Sequence, residues 1–211
     1  MPTLCKCDLS VIIPVYNLEN YIQPMLNSLK EQKLGDYKIE IIFVLNNCTD
    51  RSEEIIRESG LGLILTCEEQ GCGCARNVGM ANATGEYIWF MDGDDWLLKD
   101  TAIKDALDQV KDRDIFRILF QSDRYHMGYF SMVWQYLLKK SFIDEFRFRK
   151  IQPAEDDDFM RKVLNKAGYQ AALYYNIPST DRPLYYYNYM REGSNMWRVA
   201  RGEDINAPRL T

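Results

Sequence analysis

The feature that most limits how this chain can fold is an alternation that repeats over residues 10–91. Short continuous apolar runs take turns with segments whose apolar residues recur at helical spacing. Ser10-Val11-Ile12-Ile13-Pro14-Val15 is such a run, the pattern of a strand buried on both faces of a parallel sheet. From Glu19 to Gln32, Tyr21, Ile22, Met25, Leu26 and Leu29 share one helical face, and Pro24 belongs near that helix's start or kinks it. Ile39 to Leu45 is a second strand, rich in β-branched residues. Asp50-Arg51-Ser52-Glu53 then reads as a capping box opening a helix that Gly60 stops. Leu61 to Thr66 is a third strand. Gly71 to Gly79 is a glycine-rich loop entering a helix over Ala75 to Ala83, with Gly85 ending it. Tyr87 to Met91 is a fourth strand, and it leads directly into Asp92-Gly93-Asp94-Asp95. Strands separated by helices imply a parallel α/β sheet, and such sheets bind ligands beyond the carboxyl ends of their strands. Asn17, Asn46 and the Asp92 cluster all fall at such ends, so one shared site is expected there.

The style changes near residue 112. Asp100 to Asp112 reads as a capped amphipathic helix with Ile103, Leu107 and Val110 on one face. Ile115 to Phe120 reads as a strand, Phe130 to Lys140 as a helix, Phe142 to Phe148 as extended and Glu155 to Lys166 as a helix. Tyr169 to Tyr175 and Leu184 to Tyr189 read as tyrosine-rich strands. No linker separates the halves. The expectation is a single domain over residues 1–211, with a first half over about 8–112, a second half over about 113–197 and a tail over 198–211.

Charge and composition exclude several classes. A formal net charge of -5 argues against bulk nucleic-acid binding, which needs a basic footprint. No apolar run approaches the ~18 residues of a membrane span, and Met1 to Ser10 lacks the pattern of a signal peptide. These readings place the chain in the cytoplasm, with the inner face of the membrane as the alternative. Six cysteines include the pairs Cys5/Cys7 and Cys72/Cys74; structural zinc favours wider ligand spacing, so reduced, mostly buried thiols are expected. The lone histidine, His126, cannot form a metal site by itself. Phe146-Arg147-Phe148-Arg149 alternates aromatic and basic residues: a half-buried strand, or a rim contacting an anionic acceptor or a peripheral membrane surface. Arg182, Arg191, Arg198, Arg201 and Arg209 make the C-terminal part basic.

Asp92, Asp94 and Asp95 carry the strongest chemical signal. Carboxylates this close repel one another unless a cation joins them. Hard oxygen ligands suit Mg²⁺ or Mn²⁺, ions usually held by one or two carboxylates plus ligand phosphates. A solvated acidic turn is the plainer reading, because turns favour Asp and Gly in any case.

Four segments in order resemble the motifs of family-2 glycosyltransferases, the inverting group with a GT-A fold. They are Ser10 to Asn17, Glu40 to Asp50, Gln70 to Gly79 with its Ala75-Arg76-Asn77-Val78-Gly79 run, and Gly85 to Asp95 with its D-x-D segment. Met132 to Ser141 resembles the segment behind the acceptor cleft. Glu155-Asp156 followed by Phe159 resembles the family's Glu-Asp motif at a helix start, and Tyr185 to Ser194 its closing strand and loop. The resemblance implies a GT-A-like, Rossmann-like sheet, mostly parallel and flanked by helices, with a smaller mixed acceptor half.

It also implies a reaction and a set of roles. A sugar would pass from a nucleotide-sugar donor to a glycan, lipid-linked or protein acceptor by direct inverting displacement. Asp156 would be the catalytic base, although Glu155 to Asp158 is also a good acidic helix start. Asp94 would be the main metal ligand, with Asp92 binding ribose or supporting the metal, which would be Mn²⁺ or Mg²⁺. Pro14, Val15, Tyr16, Asn17, Glu19 and Asn46 would shape the nucleoside pocket. Gly71 and Gly73 would let backbone N–H groups approach the donor, as in other anion-binding loops. Arg76 would reach the diphosphate or organise the Asp92 cluster. Glu155, Asp95 and Trp134 would serve the acceptor or support the site. One departure stands out: the family usually has two aspartates where this chain has Leu45-Asn46. Asn46 can accept from uracil N3–H or, with its amide reversed, pair with cytosine. UDP is the first expectation. A catalytically degenerate carbohydrate-binding or assembly module is the alternative, and a sugar nucleotidyltransferase is set back by Pro14-Val15-Tyr16-Asn17 standing where a phosphate loop should be.

Overall fold

The computed structural model describes residues 7–122, 132–151, 155–169, 177–188 and 201. Strand β1 (Leu9–Val15) is followed by helix α1 (Ile22–Lys30), β2 (Ile39–Leu45), α2 (Ser52–Ser59), β3 (Leu63–Thr66), α3 (Cys72–Asn82) and β4 (Tyr87–Phe90). Then come β5 (Trp96–Leu97), α4 (Ala102–Val110), β6 (Ile115–Arg117), β7 (Phe120–Ser122) and a 3-10 turn over Val133–Gln135. The chain continues with β8 (Tyr136–Lys139), α5 (Lys140–Ile143), α6 (Glu155–Lys166) and β9 (Tyr185–Tyr187).

The main sheet runs β3-β2-β1-β4-β8-β6, and a second, three-stranded sheet runs β5-β9-β7. The pairs β1–β2, β1–β4 and β2–β3 are parallel, while β8 is antiparallel to both β4 and β6. All seven residues of β1 are buried, which is why its sequence is apolar without alternation. Two apolar layers cover the sheet. One contains Val11, Ile13, Ile22, Met25, Phe43, Ile103, Trp134 and Tyr185; the other contains Ile12, Ile42, Val44, Ala75, Phe90, Phe148, Phe159 and Val163. Pro24 sits in the first turn of α1, where its missing N–H is not needed by the helix. Gly60 closes α2 in the left-handed conformation at φ 65°.

Several expectations are corrected. Residues 130–140 do not form a helix where described: Val133–Gln135 is a 3-10 turn and Tyr136–Lys139 is a strand inserted between β4 and β6. Residues 142–148 are not extended throughout, because α5 takes the chain to Ile143 and an irregular segment follows. The stretch 115–120 divides between β6 and the start of β7, which belongs to the other sheet. Asp50-Arg51-Ser52-Glu53 is not a reciprocal capping box. Asp50 Oδ1 accepts from Ser52 N at 3.0 Å, whereas Glu53 turns outward to Arg57 at 2.6 Å. Of the two tyrosine-rich strands, Leu184 to Tyr189 contains β9. Tyr169 lies in no strand, and the rest of 169–175 lies outside the described residues, as do His126, Arg191, Arg198, Arg209 and most of the tail. No helix among the described residues is long and apolar enough to cross a membrane.

The α3 helix lies very close to β1. A methyl group placed on Gly79 would overlap Cγ2 of Ile12, a residue with no exposed surface. Gly79→Ala should therefore push α3 off the sheet, costing about 1–3 kcal/mol as an overpacked core. Urea unfolding would show this as a lower midpoint with little change in slope.

Candidate functional site

The carboxyl edge of β1, β2 and β3 is laced together by short polar side chains. Asn17, at φ 48°, accepts from Thr49 N (2.8 Å) and donates through Nδ2 to Thr49 Oγ1 (3.0 Å). Glu19 N donates to Asp50 Oδ2 at 2.9 Å, and Glu19 Oε2 accepts from Arg51 N at 3.0 Å. Leu18 N donates to Ser52 Oγ at 2.7 Å. Asn46 is buried, and its amide is almost fully used. Nδ2 donates to the carbonyls of Cys67 (3.0 Å) and Glu69 (2.8 Å), and Oδ1 accepts from Gly71 N (2.8 Å). The pattern fixes the amide orientation, since the reverse would set its oxygen against two carbonyls. Pro14 and Val15 are buried in β1, and Tyr16 is half-buried just beyond it.

The other side of the site is built around Arg76. The second turn of α3 and the helix's tight seat on β1 carry this guanidinium inward until only 4% of its side chain is exposed. Nη2 donates to Asp92 Oδ1 at 2.9 Å, and Nη1 donates to Asp156 Oδ1 at 2.5 Å. Glu155 Oε1 lies 3.6 Å from Nη1. The Phe148 ring lies 5.5 Å from the guanidinium, and the buried Nε has no hydrogen-bond partner among the described residues. Asp156 also accepts from Val133 N at 3.4 Å. Arg76 thus joins the Asp92 turn to the start of α6.

Burial pushes the Asp156 carboxyl up to about 6. Arg76 pulls it back, the Glu155 charge pushes further, and the Val133 N–H helps the charged form. Asp92 is pushed up to about 6 as well, first by burial, against the pull of Arg76 and with the charges of Asp156 and Asp94 adding. Burial also raises the Cys72 thiol beside Arg76, so it stays a neutral thiol. The described cysteines are all free thiols.

Sequence reasoning missed the supports of the acidic turn. Asp95 is 1% exposed; its carboxylate accepts from Tyr185 Oη at 2.5 Å and from Asn188 N at 2.8 Å. Burial and the charges of Asp94 and Asp92 raise its carboxyl well above the ordinary range. Trp134 is buried, stacked on Tyr185 at 4.9 Å and 10°, and so lies within the core. Phe148, placed by its sequence on a half-buried strand or a rim, stacks on Phe159 at 4.0 Å beneath Arg76. Arg147 and Arg149 of the same segment are bound to the Asp144 carbonyl and to Asp158. The only forewarning of these contacts was the density of tyrosines near residue 185.

The corner suits a divalent cation. One guanidinium faces Asp92, Glu155 and Asp156, so the surroundings stay anionic and would repel a bare diphosphate. Among the described residues no group of three or more His, Cys, Asp or Glu side chains is arranged to hold a metal alone. Asp92 and Asp94 are the carboxylates this turn could offer such an ion, a number that fits Mg²⁺ or Mn²⁺ completed by ligand phosphates.

An open, mostly parallel sheet with an acidic turn, a glycine loop and a buried Arg-carboxylate group at one edge defines an α/β protein with its candidate ligand site at the strands' carboxyl ends. Residues 10–174 match the family model described as glycosyl transferase family 2, and the chain belongs to that family. It is 41% identical over 96 residues to glycosyltransferase GlyA of Streptococcus pneumoniae serotype 4, covering 44% of this chain and 14% of that protein. Over 102 residues it is 37% identical to the poly(ribitol-phosphate) beta-N-acetylglucosaminyltransferase TarS of Staphylococcus aureus, covering 46% and 18%. The chain thus spans less than a fifth of the length of these two relatives. The structure of S. aureus TarS residues 1–349 in complex with UDP-GlcNAc superposes with a TM-score of 0.76 at 25% identity, covering 90% of this chain and 60% of that one. The mannosyltransferase PcManGT from Pyrobaculum calidifontis, in complex with GDP-Man and Mn²⁺, shares the fold at a TM-score of 0.70 and 19% identity, covering 93% and 61%. The fold is that of the GT-A glycosyltransferases.

The raised carboxyls have a direct consequence for the ligand-free protein. Folded, Asp156 holds its proton up to about pH 6; unfolded, it releases it near the ordinary value of ~4. The folded state therefore binds more protons across that window, and Asp156 favours folding more as pH falls from 7 towards 4. In metal-free urea titrations, wild type should gain stability relative to Asp156→Asn on going from pH 7.5 to pH 5. A gap that stays constant with pH would show that Asp156 titrates normally.

Proposed function

We propose that this chain is the catalytic part of a metal-dependent glycosyltransferase, which moves a sugar from a UDP-sugar to a hydroxyl of a glycan, lipid-linked or protein acceptor. The observation that carries the reading is the linkage of Asp92 and Asp156 through one buried guanidinium. It holds the turn expected to bind the donor beside the carboxylate expected to act as base. A base with its carboxyl near 6 is largely ionised at neutral pH, yet basic enough to take a proton from an attacking hydroxyl.

Asp156 takes the acceptor proton as the oxygen attacks the anomeric carbon, and the bond from that carbon to the diphosphate oxygen breaks. Direct displacement inverts the anomeric configuration. Arg76 keeps Asp156 aimed and, with the opposite end of its guanidinium, orients Asp92. Asp92 and Asp94 would hold Mn²⁺ or Mg²⁺, and when bound the ion neutralises charge on the departing diphosphate. The Gly71 loop, pinned by Asn46, lies at the same edge.

Asn46 supports uracil over cytosine. Both its N–H donors are engaged by the Cys67 and Glu69 carbonyls, and its oxygen retains one lone pair after Gly71 N. An acceptor there complements the N3–H of uracil; cytosine offers only an acceptor at that position. The TarS relative, solved with UDP-GlcNAc, is consistent with this choice.

Calorimetric titration with UDP, CDP and GDP, each with and without Mn²⁺, tests the donor site. UDP should bind at least tenfold more tightly than CDP, with a Mn²⁺-dependent gain that Asp94→Ala abolishes. Asp156→Asn should keep that binding while losing on the order of 10²–10⁴ in turnover. Nucleotide binding with no turnover in wild type would favour the degenerate carbohydrate-binding module, and no binding of any nucleotide would remove the donor site altogether.

A further inference from the structure

The Asp92-Gly93-Asp94-Asp95 turn does not hold its own shape. Asp95 points away from the cleft into the molecule, where its two carboxylate oxygens accept from Tyr185 Oη (2.5 Å) and Asn188 N (2.8 Å). The same Tyr185 hydroxyl accepts from Asp92 N at 3.2 Å. Asn188 Nδ2 donates to the Asp94 carbonyl at 3.2 Å. All three aspartates of the turn are thus tied, through backbone or side chain, to two residues that lie 90 or more positions further along the chain.

The anchor itself is rigid. Tyr185 has no exposed surface, and its ring is stacked on Trp134 at 10°. Its strand β9 pairs with β5 immediately after the turn, Leu97 opposite Tyr185 and Trp96 opposite Tyr186. Trp96 and Tyr186 stack at 4.1 Å. A divalent ion bound by only two carboxylates is sensitive to their separation, because Mg²⁺ demands near-ideal octahedral distances. Loss of a group that orients a metal ligand typically costs 10–100-fold in metal affinity.

We propose that Tyr185 is a positioning residue for the cation site: its hydroxyl, bridging Asp92 N–H and the Asp95 carboxylate, sets the turn so that Asp92 and Asp94 face a common ion. Asp95 is then an anchor and not a ligand. The inference rests on reading Asp92 and Asp94 as metal ligands. It makes cation binding in the first half of the chain depend on a strand of the second sheet.

Tyr185→Phe removes one oxygen and keeps the stacked ring. The test titrates Mn²⁺ into wild type, Tyr185→Phe, Asp95→Asn and the double variant, each saturated with UDP, using calorimetry and Mn²⁺ electron paramagnetic resonance. UDP affinity without metal and urea unfolding are measured on the same samples. Tyr185→Phe should lose about 10–100-fold in Mn²⁺ affinity while metal-free UDP binding stays within about twofold. Asp95→Asn should lose a similar amount, and the double variant much less than the product of the two losses, because the two residues share the Tyr185–Asp95 hydrogen bond. Wild-type Mn²⁺ affinity in Tyr185→Phe overturns the proposal, as does strict additivity with Asp95→Asn. If Tyr185→Phe shows no cooperative unfolding, the Asp95→Asn result decides, with unchanged Mn²⁺ affinity overturning the idea. A wild type with no Mn²⁺-dependent gain at all removes the metal reading first and this inference with it, an outcome distinct from a Tyr185→Phe that behaves like wild type.

Discussion

A single buried cation organises this molecule's carboxyl edge. Without Arg76, the Asp92 and Asp156 carboxylates would repel one another across the site. With it, one planar fork spans the β4 turn and the start of α6. Neither carboxylate is fully neutralised, since Glu155 competes for the same guanidinium and Asp94 stands beside Asp92. The result is an anionic corner that is structurally firm and electrostatically incomplete. That incompleteness leaves the corner able to attract a cation, as the proposed donor site requires. The fold supplies Arg76 through Gly79, whose missing side chain lets α3 sit on β1 closely enough to carry the guanidinium inward.

The nucleoside side of the edge is organised differently. No buried ion is involved; instead Asn17, Glu19, Asn46 and Asp50 bind the backbones of neighbouring loops. Residues that resemble ligand-binding positions of the family thus also have structural work. The two roles are compatible where a lone pair is left over, as at the Asn46 oxygen. They also mean that a substitution there would alter loop shape along with the proposed nucleotide binding. Asp156 differs, because one of its two oxygens meets Arg76 while the other has only a long contact to Val133 N.

How far the sequence could be read follows from how local each constraint is. β1, β2 and β4 were legible because a strand buried on both faces must be apolar along its length. Gly60 marked the end of α2 for an equally local reason. Phe130 to Lys140 reads as helix because a short apolar run fits either period, and only the insertion of Tyr136–Lys139 between β4 and β6 decides. Phe148 shows the same limit. Alternation with arginines suggested a strand, yet the residue is held by stacking on Phe159, eleven positions away on another element. Among site residues, Asp92, Asp94, Arg76 and Asp156 were visible as motifs. Tyr185 and Asn188 were not, because their importance lies wholly in contacts to a turn remote in sequence.

That remoteness bears on how the two sheets depend on each other. β5 has only two residues and pairs with a three-residue β9, so by strand pairing alone the second sheet would be marginal. Its stability comes from aromatic packing: Trp134 lies between Phe120, Tyr185 and Tyr187, and Trp89 donates from Nε1 to the Trp134 carbonyl at 2.8 Å. Trp89 belongs to β4 of the main sheet, so this aromatic cluster is shared by both sheets. The acidic turn sits directly between them, with β4 entering and β5 leaving. Any shift of one sheet against the other would therefore be felt at Asp92, Asp94 and Asp95, which puts the proposed cation site at a joint between the sheets rather than on either part alone.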